Sequence, residues 1–328
     1  MKSNLVFLSS QTFLSFRAFS QRQIRLWRET RNPSLYVMLN LVLNLFHGSF
    51  QHLFPQSFRV TTRNLAQRPH VLDGINVWGY DLINPNDYFS GYDYAKFALI
   101  KSKQILKQGK TVFIVGGTGF YIDLVTNRIK PALIEPNFEL RKKLSGMSLI
   151  QLQDVLRKLN PLKFEKIDKN NPARLIRAIE IEKNHISRHS GNASSVIRNP
   201  LPNDPYPLPY LENVKFMYLG LTAPREILYN NADNWLDIIW KNGLEAEVSG
   251  LLKSPYSQSP KLKGLIYGDA VTYLKGGISK EEAITKSKFA IHAYIRRQLT
   301  WFKKNADITW FDITRDNLSE NIYNFVSG

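Results

Sequence analysis

The sequence predicts an α/β protein, a parallel sheet with helical crossovers into which an all-helical domain is inserted. Three observations carry that reading. Thr111–Val115 is an apolar, β-rich run suited to a buried parallel strand, and Gly116-Gly117-Thr118 turns the chain from it into helical spacing. From residue 135 to about 203 the strand signal vanishes and leucines recur at helical intervals. Residues 214–221 then resume as a strand.

The elements follow in order. Residues 77–81 are a short apolar run, closed by the Asn84-Pro85-Asn86 turn. Over 94–106, Ala95, Ala98, Leu99 and Ile105 share one face of a predicted helix, which Gly109-Lys110 ends. Strand, helix, strand, helix in this order implies a parallel sheet with crossovers. Leu140, Leu144, Leu152, Leu156 and Leu159 are spaced for helices, and Asn171-Pro172 starts another over 174–181. A polar, Pro-rich linker runs over 198–209. Ser279 with Glu282 three residues on is a capping box that opens a long final helix reaching about residue 304. The expected organisation is a basic N-terminal segment (1–75), an α/β core with C-terminal helices (76–135 and 206–328), and a helical insertion (136–205).

Charge narrows the function. Lys and Arg outnumber Asp and Glu by 44 to 27, a formal charge of +17, which points to a polyanionic partner. Nucleic acid is the first candidate and an acidic membrane surface the competing one. The absence of cysteine excludes disulfides and thiolate metal sites. The most apolar window, 34–46, is broken by Asn40 and Asn44 and is too short to span a bilayer. The charge is also uneven. Residues 1–70 hold eight Arg, one Lys and a single acid, Glu29, whereas 71–328 hold eleven Arg, twenty-four Lys and twenty-six acids. With little periodicity as well, residues 1–70 are expected not to dock as an ordered layer of the core. The Arg-to-Lys switch is read as a reading-frame or gene-model error upstream of about residue 75, with a divergent basic N-terminal arm as the alternative.

Three groups of residues can carry chemistry. Lys288, His292 and Arg296 fall at i, i+4 and i+8 on the final helix, with Arg297 and Gln298 beside them. A cationic stripe suits phosphate or pyrophosphate, since Arg clamps two oxygens at once; a solvated helix face is the commoner explanation of such a stripe by itself. Gly116-Gly117-Thr118 lies at the carboxyl end of a parallel strand, where α/β sheets bind ligands, although such glycines also serve packing alone. Arg174 and Arg177 are three apart on a helix and can reach an RNA backbone; an internal Arg177–Glu180 pair is the equal alternative.

The order and spacing of these pieces resemble the tRNA dimethylallyltransferase (tRNA isopentenyltransferase) family. Gly116-Gly117-Thr118-Gly119-Phe120-Tyr121 is similar to its Gly-Gly-Thr-x-x-Tyr, and Asn171 through Glu180 to its Asn-Asp-x-x-Arg-x-x-Arg-Ala-Leu-Glu. Gly243-Leu244-Glu245-Ala246-Glu247-Val248, Tyr273-Leu274-Lys275-Gly276 and Arg296-Arg297-Gln298-Leu299-Thr300-Trp301-Phe302 are similar to three further boxes. The resemblance covers about 77–315. It implies a P-loop-NTPase-like core and a helical insertion that grips the tRNA anticodon arm. The adenosine beside the anticodon would leave its stack, and its exocyclic amine would attack dimethylallyl pyrophosphate. By resemblance, Thr118, Arg174, Arg177 and Gln298 contact tRNA, while His292, Arg296 and Arg297 face the pyrophosphate, with Mg²⁺ assisting. A cytoplasmic monomer without membrane contact is expected.

The chain departs from that family in places. No G-x-x-x-x-G-K-[S/T] loop occurs anywhere, and no Asp-Ser-x-Gln box precedes residue 75, so no catalytic residue and no metal ligand is assigned. Ile291-His292 stands where the family has Thr-Arg, and Ile266-Tyr267-Gly268-Asp269 where it has Ile-Gly-Tyr followed by a cation. The alternative function is a non-catalytic tRNA-binding remnant. On these departures the chain is expected to bind tRNA and to transfer prenyl groups very slowly or not at all. Transfer to free adenine nucleotides is disfavoured by the insertion, and a generic nucleotide kinase leaves the Arg-Gln-x-Thr-Trp box unexplained.

Overall fold

The computed structural model describes residues 4–10, 35–39, 70–72, 75–79, 82–132, 134–189, 208, 210–211 and 214–327. The chain opens with strands β1 (Asn4–Ser10), β2 (Leu35–Leu39), β3 (His70–Leu72) and β4 (Ile75–Trp78), followed by α1 (Gly91–Leu106), β5 (Thr111–Val115) and α2 (Gly119–Val125). Four helices come next: α3 (Phe138–Ser145), α4 (Leu149–Leu159), α5 (Pro161–Lys166) and α6 (Pro172–His189). The remainder is β6 (Lys215–Thr222), α7 (Arg225–Lys241), α8 (Leu244–Leu252), α9 (Leu265–Leu274), α10 (Lys280–Phe302), β7 (Ile308–Asp312) and α11 (Leu318–Ser327). Two compact units result: Met1–Ile129 with Pro209–Gly328, and Lys130–Leu208.

The first unit holds a seven-stranded sheet in the order β3-β4-β2-β5-β1-β6-β7. All neighbours are parallel except the edge pair β3 and β4. β1 is an interior strand. Leu5 to Leu8 register with Val112 to Val115 on one side, and Asn4 to Ser10 with Lys215 to Leu221 on the other. For residues 4–10 and 35–39 this overturns the expectation that 1–70 do not dock as an ordered layer of the core. Short runs such as Asn4–Ser10 and Leu35–Leu39 give too little periodicity to read, and a strand paired on both edges is held by its ladder, whatever its own propensity. β2 and β5 lie to one side of β1, and β6 and β7 to the other. The chain thus reverses its winding between β5 and β1, and open α/β sheets bind ligands at the carboxyl ends of strands at such a reversal.

Local sequence sets the helix ends. Ser90 and Asp93 form a reciprocal capping box at α1, with Ser90 N donating to Asp93 Oδ2 at 2.8 Å and Asp93 N to Ser90 Oγ at 3.3 Å. At α10, Glu282 N donates to Ser279 Oγ at 3.1 Å. β5 is buried from Val112 to Val115, as its apolar run predicts. Trp235, Leu236, Ile239, Trp240, Ile266, Tyr267, Ile291 and Ile295 pack α7, α9 and α10 into one apolar cluster. Among the described residues no helix is long and apolar enough to cross a membrane.

The second unit is helical. Leu144, Leu152, Leu156, Phe164, Leu175, Ala178 and Ile179 form its core. The structure bounds this unit at Lys130 and Leu208, slightly wider than the 136–205 drawn from sequence. Of the 198–209 linker, only Leu208 lies within the described residues.

Candidate active site

The turn after β5 and the last third of α10 are built against each other. Gln298, 3% exposed, donates from Nε2 to the Gly117 carbonyl at 3.1 Å. A Cβ on Gly117 would lie 1.9 Å from that nitrogen, and one on Gly119 would lie 2.1 Å from Trp301 Cδ1. No side chain fits at either position, so the two glycines are the space that Gln298 and Trp301 occupy. Trp301 in turn donates from Nε1 to Asp123 Oδ2 at 2.8 Å. Burial pushes the Asp123 carboxyl up, opposed by the Trp301 bond and by Arg128, whose Nε lies 3.6 Å from Asp123 Oδ1. Arg128 also donates to Asp307 at 2.9 Å, tying the end of α2 to the start of β7.

Thr118 and Gln298, both expected to contact RNA, are brought together through Tyr294. The Tyr294 hydroxyl lies 3.3 Å from Thr118 Oγ1 and also hydrogen-bonds Gln298. Burial raises the Tyr294 hydroxyl above its usual range, while Thr118, Gln298 and Arg297 pull it back. Tyr294 is not among the residues that the sequence singles out. Its spacing from Gln298 (i, i+4) and Trp301 (i, i+7) was the available signal for a shared face.

The cationic stripe resolves differently from the expectation. Lys288 Nζ bonds Asp237 Oδ2 at 2.9 Å, His292 Nε2 lies 2.8 Å from Asp233 Oδ1, and Arg296 Nη1 donates to the Tyr229 hydroxyl at 3.0 Å. The Tyr229 ring stacks on His292 with centroids 3.9 Å apart. Residues 229, 233 and 237 repeat at i, i+4 and i+8 on α7, so the stripe on α10 is one half of an antiparallel seam. His292 and Arg296, expected to face pyrophosphate, thus each have a partner on α7. Helical spacing identified the stripe but could not say that an equally spaced acidic and aromatic stripe faces it. Arg297, exposed, stands outside the seam with its guanidinium 5.6 Å from the centre of the Tyr294 ring.

In the helical unit, Glu180 is 2% exposed and is held from three sides. Arg141 donates to it at 3.0 and 2.8 Å, the Asn137 amide at 2.5 Å, and Arg177 through Nη1. Burial drives the Glu180 carboxyl up, but these hydrogen bonds outweigh it and hold it below the usual carboxylate range. Arg177 also donates to the Ile134 carbonyl at 2.8 Å and to Ala132 at 3.4 Å. Arg177 thus forms the internal pair with Glu180 that the sequence offered beside an RNA contact. Arg174 is 61% exposed, 3.6 Å from Asp168, and free to reach outward. A cavity of about 320 Å³ beside Glu180 is lined by Glu135, Glu139, Lys143 and Lys183 among others, a balance of charge that suits no polyanion.

Among the described residues no three His, Cys, Asp or Glu side chains converge as a metal site.

A family model described as IPP transferase matches residues 59–305. The chain belongs to the IPP transferase family. The match begins about eighteen residues before the 77–315 stretch that carries the resemblance, and so before the Arg-to-Lys switch. The chain is 33% identical over 283 residues to a tRNA dimethylallyltransferase of Caldanaerobacter subterraneus, covering 82% of this chain and 84% of that protein. Its fold is similar to the crystal structure of a full-length tRNA isopentenylpyrophosphate transferase from Bacillus halodurans, with a TM-score of 0.60, 24% identity, and coverage of 100% of this chain and 96% of that one. It is also similar to a eukaryotic dimethylallyltransferase solved acting on tRNA, with a TM-score of 0.67, 17% identity, and coverage of 100% and 80%. The β2-β5-β1-β6-β7 order is the parallel core of the α/β fold that these structures share with this chain.

Proposed function

We propose that this protein transfers the dimethylallyl group of dimethylallyl pyrophosphate to the exocyclic N6 amine of the adenosine next to the anticodon in tRNA. The family match over 59–305 carries this reading, since it spans both halves of the Gly117–Gln298 contact. In the reaction the amine nitrogen bonds to the first carbon of the dimethylallyl chain, the carbon–oxygen bond to pyrophosphate breaks, and the amine loses a proton. An adenine inside a stack cannot present that amine, so the base must leave the stack.

The turn at the end of β5 supports the reading. Thr118 presents a hydroxyl at the switch point of the sheet, backed by Tyr294, and Arg297 adds an exposed guanidinium on the same side of α10. Arg174 supplies an exposed cation on the helical unit for the RNA backbone. One observation favours the second reading, a tRNA-binding protein without turnover: no G-x-x-x-x-G-K-[S/T] follows β1 in the sequence. Incubation of the full chain with radiolabelled dimethylallyl pyrophosphate and undermodified tRNA separates the two. Label is expected in tRNA and absent when the target adenosine is replaced by guanosine. RNA binding without any label at high pyrophosphate substrate would leave the second reading standing.

A further inference from the structure

We infer that Phe120 is a stacking platform for an unpaired base of the substrate RNA, with Arg297 pairing to the adjoining phosphate. The inference rests on RNA being the substrate and adds the residues that recognise it. Phe120 is 40% exposed although it sits two residues beyond Thr118, at the ligand end of the sheet. Most large apolar side chains this close to a buried strand are covered.

The ring is also held from behind. It meets Trp301 edge-on with centroids 6.4 Å apart, and Tyr121 at 6.1 Å; Tyr121 itself stacks on the buried Tyr94 at 5.1 Å. Trp301 is anchored through its hydrogen bond to Asp123. Gly91 leaves room for this ladder, since a Cβ there would lie 2.9 Å from both Phe120 and Tyr121. An aromatic fixed on one side and open on the other loses little freedom when a base covers it. Every nucleobase has a face to offer, which makes such a ring a general acceptor of unpaired nucleotides.

Charge identifies the occupant. Arg297 and Trp301 are four residues apart on α10, hence neighbours on one face, and Trp301 touches Phe120. Arg297 makes no ion pair among the described residues; its recorded contact is the Tyr294 ring. An exposed aromatic with a guanidinium one helical turn from the Trp301 that backs it fits a nucleotide, base on ring and phosphate on cation. An apolar peptide would leave the arginine unused, and duplex RNA keeps its base faces covered.

The test uses an anticodon stem-loop RNA with 2-aminopurine placed singly at each loop position, titrated with the full chain. Wild type should quench one position strongly. Phe120→Leu keeps apolar volume against Trp301 and should melt like wild type, yet lose that quench and bind roughly 5- to 100-fold more weakly. Phe120→Tyr should retain both. Arg297→Ala should keep the quench at saturating protein but reduce the slope of log affinity against log salt by about one. Binding with no quench at any position, or Phe120→Leu behaving as wild type, overturns the inference while leaving the function intact. Failure of the wild-type chain to bind the RNA at all overturns the proposed function, and this inference with it.

Discussion

Gln298 donates a hydrogen bond to the carbonyl of Gly117, and it can do so only because Gly117 has no side chain. The two sequence boxes that look independent, Gly-Gly-Thr-Gly and Arg-Gln-Leu-Thr-Trp, are thus opposite faces of one contact. Gly117→Ala should displace Gln298 and Gly119→Ala should displace Trp301, each destabilising the protein by about 1–3 kcal/mol through overpacking. Urea denaturation checks this. A variant as stable as wild type would mean that the α10 side chains yield easily and that the boxes are not coupled through packing.

Arg174 and Arg177 should separate under mutation. Arg177→Ala strips one partner from buried Glu180 and frees two carbonyls, so the helical unit should lose about 1–3 kcal/mol, read by amide exchange in α6. Arg174→Ala should leave exchange unchanged and weaken binding of an anticodon stem-loop at low salt. The reverse pattern would restore Arg177 as the RNA contact.

The α7–α10 seam should answer to stability rather than to ligand. A double-mutant cycle on Asp233 and His292 should give a coupling of about 0.5–1 kcal/mol, the range of partly exposed pairs. Neither single variant should change the concentration of dimethylallyl pyrophosphate that half-saturates transfer. A marked rise in that concentration for His292→Ala would return the stripe to the diphosphate.

Stability should depend on Glu247. Burial lifts its carboxyl from 4.5 to about 8, only partly offset by the Tyr267 hydroxyl that donates to it at 2.8 Å. The folded state then holds a proton that the unfolded state releases between those values. Stability should fall as pH rises from about 4.5 to about 8, by an amount on the order of 4–5 kcal/mol if the whole shift is expressed. Glu247→Gln should flatten that part of the pH profile in thermal melts. An unchanged slope would place the pH dependence elsewhere.

Residues 4–10 should be among the protected amides of the first unit. A parallel strand bonded on both edges opens only when the sheet opens. Hydrogen exchange as fast as in a free peptide over 4–10 would show that β1 is not an interior strand of the sheet.

Sequence by itself determined the elements whose signal is local. The β5 strand, the Ser279 cap of α10 and the Asn171 start of α6 all depend on residues within a few positions of one another, and the structure places each where the spacing put it. The family was legible for the same reason, since its boxes are short and ordered. Tertiary structure decided what those side chains face. Nothing near His292 in sequence announces Tyr229 and Asp233, some sixty residues earlier, yet they make a basic stripe one half of a seam. β1 is the extreme case. Its seven residues carry little periodicity of their own, and only pairing with β5 and β6, more than a hundred and two hundred residues away, makes them an interior strand of the sheet. Partners that distant leave no trace in local spacing, because the chain meets them only after it has folded.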